Sequence, residues 1–201
     1  MLGRFIGIMS SALSRVLQQR FETLKVLVVD DDHYMRKVVR AMLTAIGVRE
    51  IYDASDGMAG LQAILAVSPD IVILDWEMPN VSGAEFVRSV RSPGAFPVPN
   101  IPIIVLTGHG ERSCVMEATQ LGANEYLLKP VSTKALFDRL ASVLTKPRPM
   151  VRIGDYYGPK PRTRSFAVEQ PEIAPNPAAG KPGEQQHDRA PADGDQNIVL
   201  I

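Results

Sequence analysis

Cysteine occurs once in this 201-residue chain, at Cys114, and tryptophan once, at Trp76. A single cysteine allows no internal disulfide framework and no cysteine metal cluster. It reads as a small buried hydrophobe and fits a reducing cytoplasm. Neither charge is in excess: Lys plus Arg and Asp plus Glu both number 22, so net charge argues neither for nor against a nucleic-acid partner. No apolar stretch approaches the ~20 residues that span a bilayer. Arg and Ser interrupt the N-terminal apolar pattern, which is therefore a poor signal peptide.

What the chain does have is a core and a repeated pattern. Hydrophobic residues make up 45%, enough for one well-filled domain with appendages. Four short apolar runs each stop on a polar residue. Leu27-Val28-Val29 runs into Asp30-Asp31-Asp32, and Ile71-Val72-Ile73-Leu74 into Asp75. Ile103-Ile104-Val105-Leu106 runs into Thr107, and Tyr126-Leu127-Leu128 into Lys129-Pro130. As parallel strands these runs line their acids, hydroxyl and amine along one carboxyl rim, where open α/β sheets bind ligands.

Three parts are expected: a helical N-terminal extension over 1–23, a globular domain over 24–146, and a Pro-rich disordered C-terminal tail over 147–201. In the domain, strand and helix signals alternate five times. Strands fall near 25–30, 50–54, 70–75, 102–107 and 125–129, helices near 33–46, 57–67, 83–91, 111–121 and 133–145. The third and fourth strands are unbroken Ile/Val-rich runs, as when both faces of a parallel sheet are covered. Met35, Val38, Val39, Met42, Leu43 and Ile46 recur at helical spacing. Gly47 and Gly122 stand at helix C-cap positions, Ser82 and Ser132 at N-caps. Short connections imply right-handed crossovers and a doubly wound α/β sheet. The stretch from Ser92 to Pro102, with four prolines, reads as an irregular loop.

In the extension, Leu2, Ile6, Met9, Leu13 and Val16 form a stripe at alternating spacings of four and three, with Phe5, Leu17 and Phe21 beside it. A helix packed on the domain or used in self-association is favoured over an interfacial membrane helix. The tail holds nine of the sixteen prolines, a basic first half, an acidic second half and an apolar end at Ile198-Val199-Leu200-Ile201. Such a segment buries too little surface to offset chain entropy. It reads as a solvated tail, the alternative being a docking peptide.

The rim chemistry follows from the residue types. Asp30, Asp31 and Asp75 converge if the first and third strands are neighbours, and three uncompensated carboxylates repel. A hard divalent cation such as Mg²⁺ resolves this with oxygen ligands, the backbone carbonyl of Glu77 being a further one. Asp75 then suits a nucleophile toward a phosphoryl donor. Transfer depends on positioning and charge neutralisation, for which Lys129 and the Thr107 hydroxyl are suited.

These stretches resemble the receiver domain of two-component response regulators, of the CheY-like type. The resemblance rests on Val28-Val29-Asp30-Asp31, Asp75-Trp76-Glu77-Met78-Pro79-Asn80, Leu106-Thr107-Gly108 and Leu128-Lys129-Pro130. Met35-Arg36, Ala54-Ser55-Asp56-Gly57, Gly83 and Gly122-Ala123 add to it. It implies a flavodoxin-like (βα)5 fold with strand order 2-1-3-4-5 and a cis Lys129-Pro130 peptide. It implies Asp75 as phosphoacceptor from a sensor histidine kinase or histidine phosphotransfer protein, Asp30 and Asp31 as Mg²⁺ ligands, and Thr107 and Lys129 on the phosphoryl group. Tyr126 matches the switch aromatic, reshaping the face made by residues 111–121, 125–129 and 133–145 for a downstream protein. Homodimerisation through that face or the N-terminal helix is a further expectation. Asp32 is expected to be peripheral, and His33, Glu77 and His109 to tune the site.

Nothing after residue 146 looks like a DNA-binding or catalytic domain, so a signalling protein rather than an enzyme is expected, without direct DNA binding. Two other classes are weighed. One is a phosphatase like the haloacid dehalogenases with Asp30 as nucleophile, in which His33 occupies the place of the pattern's final Thr or Val. The other is a scaffold that is not phosphorylated.

Overall fold

The run Ile71-Val72-Ile73-Leu74 leaves no side chain for water, and in the computed structural model all four are buried at the centre of a parallel sheet. The structure describes residues 11–108 and 112–162. In chain order the elements are α1 (Ser11–Thr23), β1 (Lys25–Val29), α2 (His33–Ile46), β2 (Glu50–Ala54), α3 (Gly57–Val67), β3 (Ile71–Asp75), α4 (Gly83–Val90), β4 (Ile103–Thr107), α5 (Arg112–Gln120), β5 (Glu125–Leu128), α6 (Thr133–Thr145), β6 (Met150–Ile153) and β7 (Tyr156–Pro159). β1 to β5 form a five-stranded sheet in the order β2-β1-β3-β4-β5, with every pairing parallel. This is the flavodoxin-like, doubly wound order expected from the sequence.

Period-two geometry divides each apolar run between two cores. Val26, Val28, Ile71, Ile73, Ile104, Leu106 and Leu127 face α1, α2 and α6. Leu27, Val29, Val72, Leu74, Ile103 and Val105 face α3, α4 and α5. The helices begin and end where their caps allow. Gly47 takes a left-handed φ of 115° and returns its N–H to Leu43 and Thr44. Ser82 and Glu85 form a reciprocal capping box, and Ser132 caps α6. Among the described residues no helix is long and apolar enough to cross a membrane.

The N-terminal helix packs on the domain, but not through the stripe that the sequence suggested. Leu17 and Phe21 are buried, whereas Val16 is 53% exposed. The Phe21 ring lies 5.5 Å from that of Phe137, and Arg20 donates to the Leu144 carbonyl at 2.7 Å. The side chain of Leu13 and all of Leu2, Ile6 and Met9 lie outside the described residues.

The expected tail boundary at 146 requires correction. Residues 150–159 form an antiparallel hairpin, β6 with β7, in the same structural unit as the sheet. Proline density and charge hid it, because its contacts are polar and backbone-to-backbone rather than a periodic apolar face. Arg148 donates to the carbonyls of Ala123 and Asn124, and the Tyr157 hydroxyl to Asn100 at 2.6 Å. Gly158 lies against Gly122, so close that a Cβ on Gly158 would stand 2.8 Å from the Gly122 Cα. Beneath them the buried Arg91 donates to Gly122 O at 3.0 Å, Pro99 O at 2.5 Å and Asn124 Oδ1 at 3.0 Å. Burial lowers its pKa to about 10, which still leaves it charged at neutral pH. Arg91 thereby orders the Pro-rich loop that enters β4. Arg162, beyond the hairpin, pairs with the buried Glu125. The tail from residue 163 onward lies outside the described residues.

Two outcomes test this packing. Phe21→Ala is expected to cost about 3 kcal/mol, and Val16→Ala within about 0.5 kcal/mol, by chemical denaturation; equal costs would mean the helix docks on another face. Truncation after Lys146 is expected to leave a folded domain destabilised by about 2 kcal/mol, since Glu125 and the 122–124 turn lose partners. An unchanged melting temperature would show that the hairpin contributes nothing.

Candidate functional site

The order β2-β1-β3-β4-β5 brings the carboxyl ends of β1, β3, β4 and β5 to one rim, since Val29 pairs with Leu74, Asp75 with Leu106 and Thr107 with Leu128. Asp75 and Thr107 are the last residues of β3 and β4, and Asp30 and Lys129 directly follow β1 and β5, so all four stand at that rim. Asp30 is fully buried, Asp75 is 5% exposed and Thr107 2%, while Asp31 is exposed. Carboxylate oxygens of Asp30, Asp31 and Asp75 all lie within 4.8 Å of one another.

Lys129 compensates the two buried acids. Its Nζ lies 2.9 Å from Asp75 Oδ1 and 3.3 Å from Asp30 Oδ2. Its position is set by the sheet, because its N–H donates to the Thr107 carbonyl at 2.8 Å. Burial alone pulls the Lys129 pKa down, but the hydrogen bond and charge of Asp75, then Asp30, outweigh this and hold the ammonium above its ordinary value. Asp75 is raised: desolvation is the largest cause and Asp30 adds to it, against the opposing pull of Lys129 and a long Glu77 N–H contact of 3.5 Å. Desolvating a carboxylate costs more than one shared ammonium returns.

The acid-bearing loop is held by its backbone. Asp30 Oδ1 accepts the Asp32 N–H, and Asp32 Oδ1 accepts the Tyr34 N–H, both at 2.8 Å. Asp32, expected to be peripheral, is thus the N-cap of α2. Arg36, one turn into α2, donates to the carbonyls of Asp30 and Asp31. Sequence reading gave Arg36 no role, although an arginine one turn past an acid pair at a helix start was a usable signal. On the other side, Trp76 and Met78 are each 7% exposed, and the Trp76 N–H donates to Leu106 O at 2.9 Å. Gly83 allows this loop to close: a Cβ there would stand 2.7 Å from the Trp76 Cα.

Tyr126 is half-buried on β5 beside the Trp76-containing core, in register with Val105. Glu77 approaches the β4 loop, its Oε2 3.9 Å from where a Cβ on Gly108 would sit. The Lys129-Pro130 peptide is cis. His33 Nδ1 meets Arg36 at 3.3 Å, and His109 lies outside the described residues.

Residues 26–141 match the family described as the response regulator receiver domain. The chain belongs to that family. Among its relatives, this receiver is 34% identical over 122 residues to chemotaxis protein CheY1 of Helicobacter pylori, covering 60% of this chain and 97% of that protein. It is 28% identical over 125 residues to chemotaxis protein CheY-3 of Vibrio cholerae, covering 62% and 95%. Among solved structures it resembles Vibrio cholerae CheY4 (TM-score 0.54, 32% identity, 60% of this chain and 98% of that one). It also resembles a receiver domain protein of Clostridium thermocellum (TM-score 0.55, 31% identity, 61% and 95%). Receivers of this kind are signalling proteins rather than conventional enzymes. Family membership and the fully buried, doubly engaged Asp30 weigh against the dehalogenase-like alternative.

Three clustered carboxylates are a hard oxygen donor set that fits the Mg²⁺ receivers generally bind. Lys129→Met removes the ammonium that lowers the Asp75 pKa and leaves desolvation and Asp30 repulsion, which raise it, opposed only by the long Glu77 N–H contact. In metal-free protein the Asp75 titration, followed by carboxyl ¹³C NMR, is therefore expected to move to higher pH. A downward move would mean that Lys129 does not compensate Asp75.

Proposed function

We propose that this receiver accepts a phosphoryl group on Asp75 from the phosphohistidine of a sensor kinase or of a histidine phosphotransfer protein. The observation that carries this reading is the Lys129 ammonium bridging Asp75 and Asp30 at the sheet rim. A carboxylate oxygen of Asp75 attacks phosphorus, the P–N bond to histidine breaks, and an acyl phosphate forms as the imidazole leaves. Asp30, Asp31, Asp75 and the Glu77 carbonyl would hold Mg²⁺, which supplies neutralisation of phosphoryl oxygen charge. Lys129 turns from Asp75 to a phosphoryl oxygen, and the Thr107 hydroxyl donates to another. The donors are preorganised because both stand on strand ends rather than on a free loop.

Signalling then follows from a shift between two packings. As Thr107 engages the phosphoryl group, Tyr126 moves inward from its half-buried position and the face of α5, β5 and α6 changes shape for a protein partner. A second copy of the chain is one candidate partner, through that face or the outer side of the N-terminal helix; the inner side, with Leu17 and Phe21, is already spent on packing. We place the exchange in the cytoplasm, where Cys114 stays a thiol. Direct DNA binding has no part in it.

Incubation with Mg²⁺ and acetyl phosphate is expected to give a base-labile adduct on Asp75, located by mass spectrometry and lost in Asp75→Asn. An adduct on Asp30 would instead mark a phosphatase-like nucleophile. Full signalling output retained by Asp75→Asn would mark a scaffold.

A further inference from the structure

We infer that Arg36 is a positioning residue for the acid pair: its guanidinium sets the backbone of both Asp30 and Asp31 while leaving their carboxylates to a cation. This rests on the reading of the rim as a Mg²⁺ site. Arg36 Nη1 donates to Asp30 O at 2.7 Å and to Asp31 O at 3.2 Å, and Nη2 meets His33 Nδ1 at 3.3 Å. The Arg36 N–H donates to Asp32 O at 3.0 Å, so side chain and backbone together grip all three acids by their carbonyls. Among the described residues no ion pair joins Arg36 to a carboxylate. Arg40, one turn further along the same helix, does the ordinary thing and pairs with Asp53 at 2.7 Å.

The two acids need this differently. Asp30 is buried, and its side chain is fixed by the Asp32 N–H and by Lys129. Asp31 is exposed, and the Arg36 contact ties its backbone to α2. A guanidinium presents two N–H groups on one nitrogen in a rigid plane and so spans two consecutive carbonyls; an ammonium lacks that fork. Losing a group that orients metal ligands from behind typically costs about 10–100-fold in metal affinity.

Charge and positioning predict opposite signs, which makes the inference testable. As a mere positive charge near the site, Arg36 repels a cation, so its removal would tighten Mg²⁺ binding. As a positioning residue it holds the ligands, so its removal weakens binding. Mg²⁺ alone is titrated into the full chain by calorimetry, with Trp76 fluorescence as a second readout. Arg36→Met is expected to weaken affinity roughly tenfold, with a melting temperature no lower than that of Arg40→Met, whose Mg²⁺ affinity should equal the parent's. Arg36→Lys, which keeps the charge without the fork, is expected to fall between, and it carries the test if Arg36→Met does not fold. Unchanged or tighter binding in Arg36→Met, or parental affinity in Arg36→Lys, overturns the inference. If the parent chain itself takes up no Mg²⁺, the reading of the site fails, and the inference with it. If the parent binds and Arg36→Met binds equally well, only the inference fails.

Discussion

A parallel sheet joined by crossover helices has to be covered on both faces, and that requirement organises this molecule. β1, β3 and β4 carry apolar residues at every interior position, so each strand divides its side chains between two helical layers. Strands pinned between two cores cannot slip by one residue without exchanging those layers. Register is therefore firm, and with it the height at which each strand ends. The polar residues that follow the strands inherit that precision. Asp30, Asp75, Thr107 and Lys129 come to one rim because three buried runs and the half-buried edge strand β5 stop at the same height.

The rim is electrostatically unfinished. Two buried carboxylates share one ammonium, and a third, Asp31, stands beside them in water. Burial keeps the Asp75 pKa raised despite the ammonium, so the site retains an appetite for positive charge. A hard cation and a phosphoryl group together offer what the acids and Lys129 separately lack. The loop backbone is held tightly by short hydrogen bonds from Asp32, Tyr34 and Arg36, so little reorganisation is needed when the charges change.

One helix and one hairpin lie outside residues 26–141, which match the receiver family. The N-terminal helix extends the core of the α2 and α6 layer through Leu17 and Phe21. The hairpin of β6 and β7 instead packs by close glycine contact and by arginine-to-carbonyl bonds over the α5–β5 turn. Both sit away from the acids, and the hairpin adjoins elements whose shape the proposed switch would change.

Periodicity, turn chemistry and the identity of strand-end residues were enough to read five strands, five helices, their boundaries within a residue or two, and the acids, hydroxyl and amine of the rim. These are local signals: a buried strand must be apolar, and a helix must be capped. What the sequence could not decide were choices between surfaces. The leader offered two adjacent stripes, and only the shape of the domain selected Leu17 and Phe21 over Val16, because Phe137 waits on that side. The hairpin carried no apolar period at all, and its docking rests on groups distant in sequence, such as the carbonyls at 123 and 124 that accept from Arg148 just before it. Arg36 looked like any helix-surface cation until the turn of α2 aimed it at the two carbonyls behind the acid pair. Composition and spacing determine which elements form and what chemistry they end in; which of several equivalent faces meets which partner is settled only when the chain is folded, since those energies belong to pairs of residues far apart in sequence.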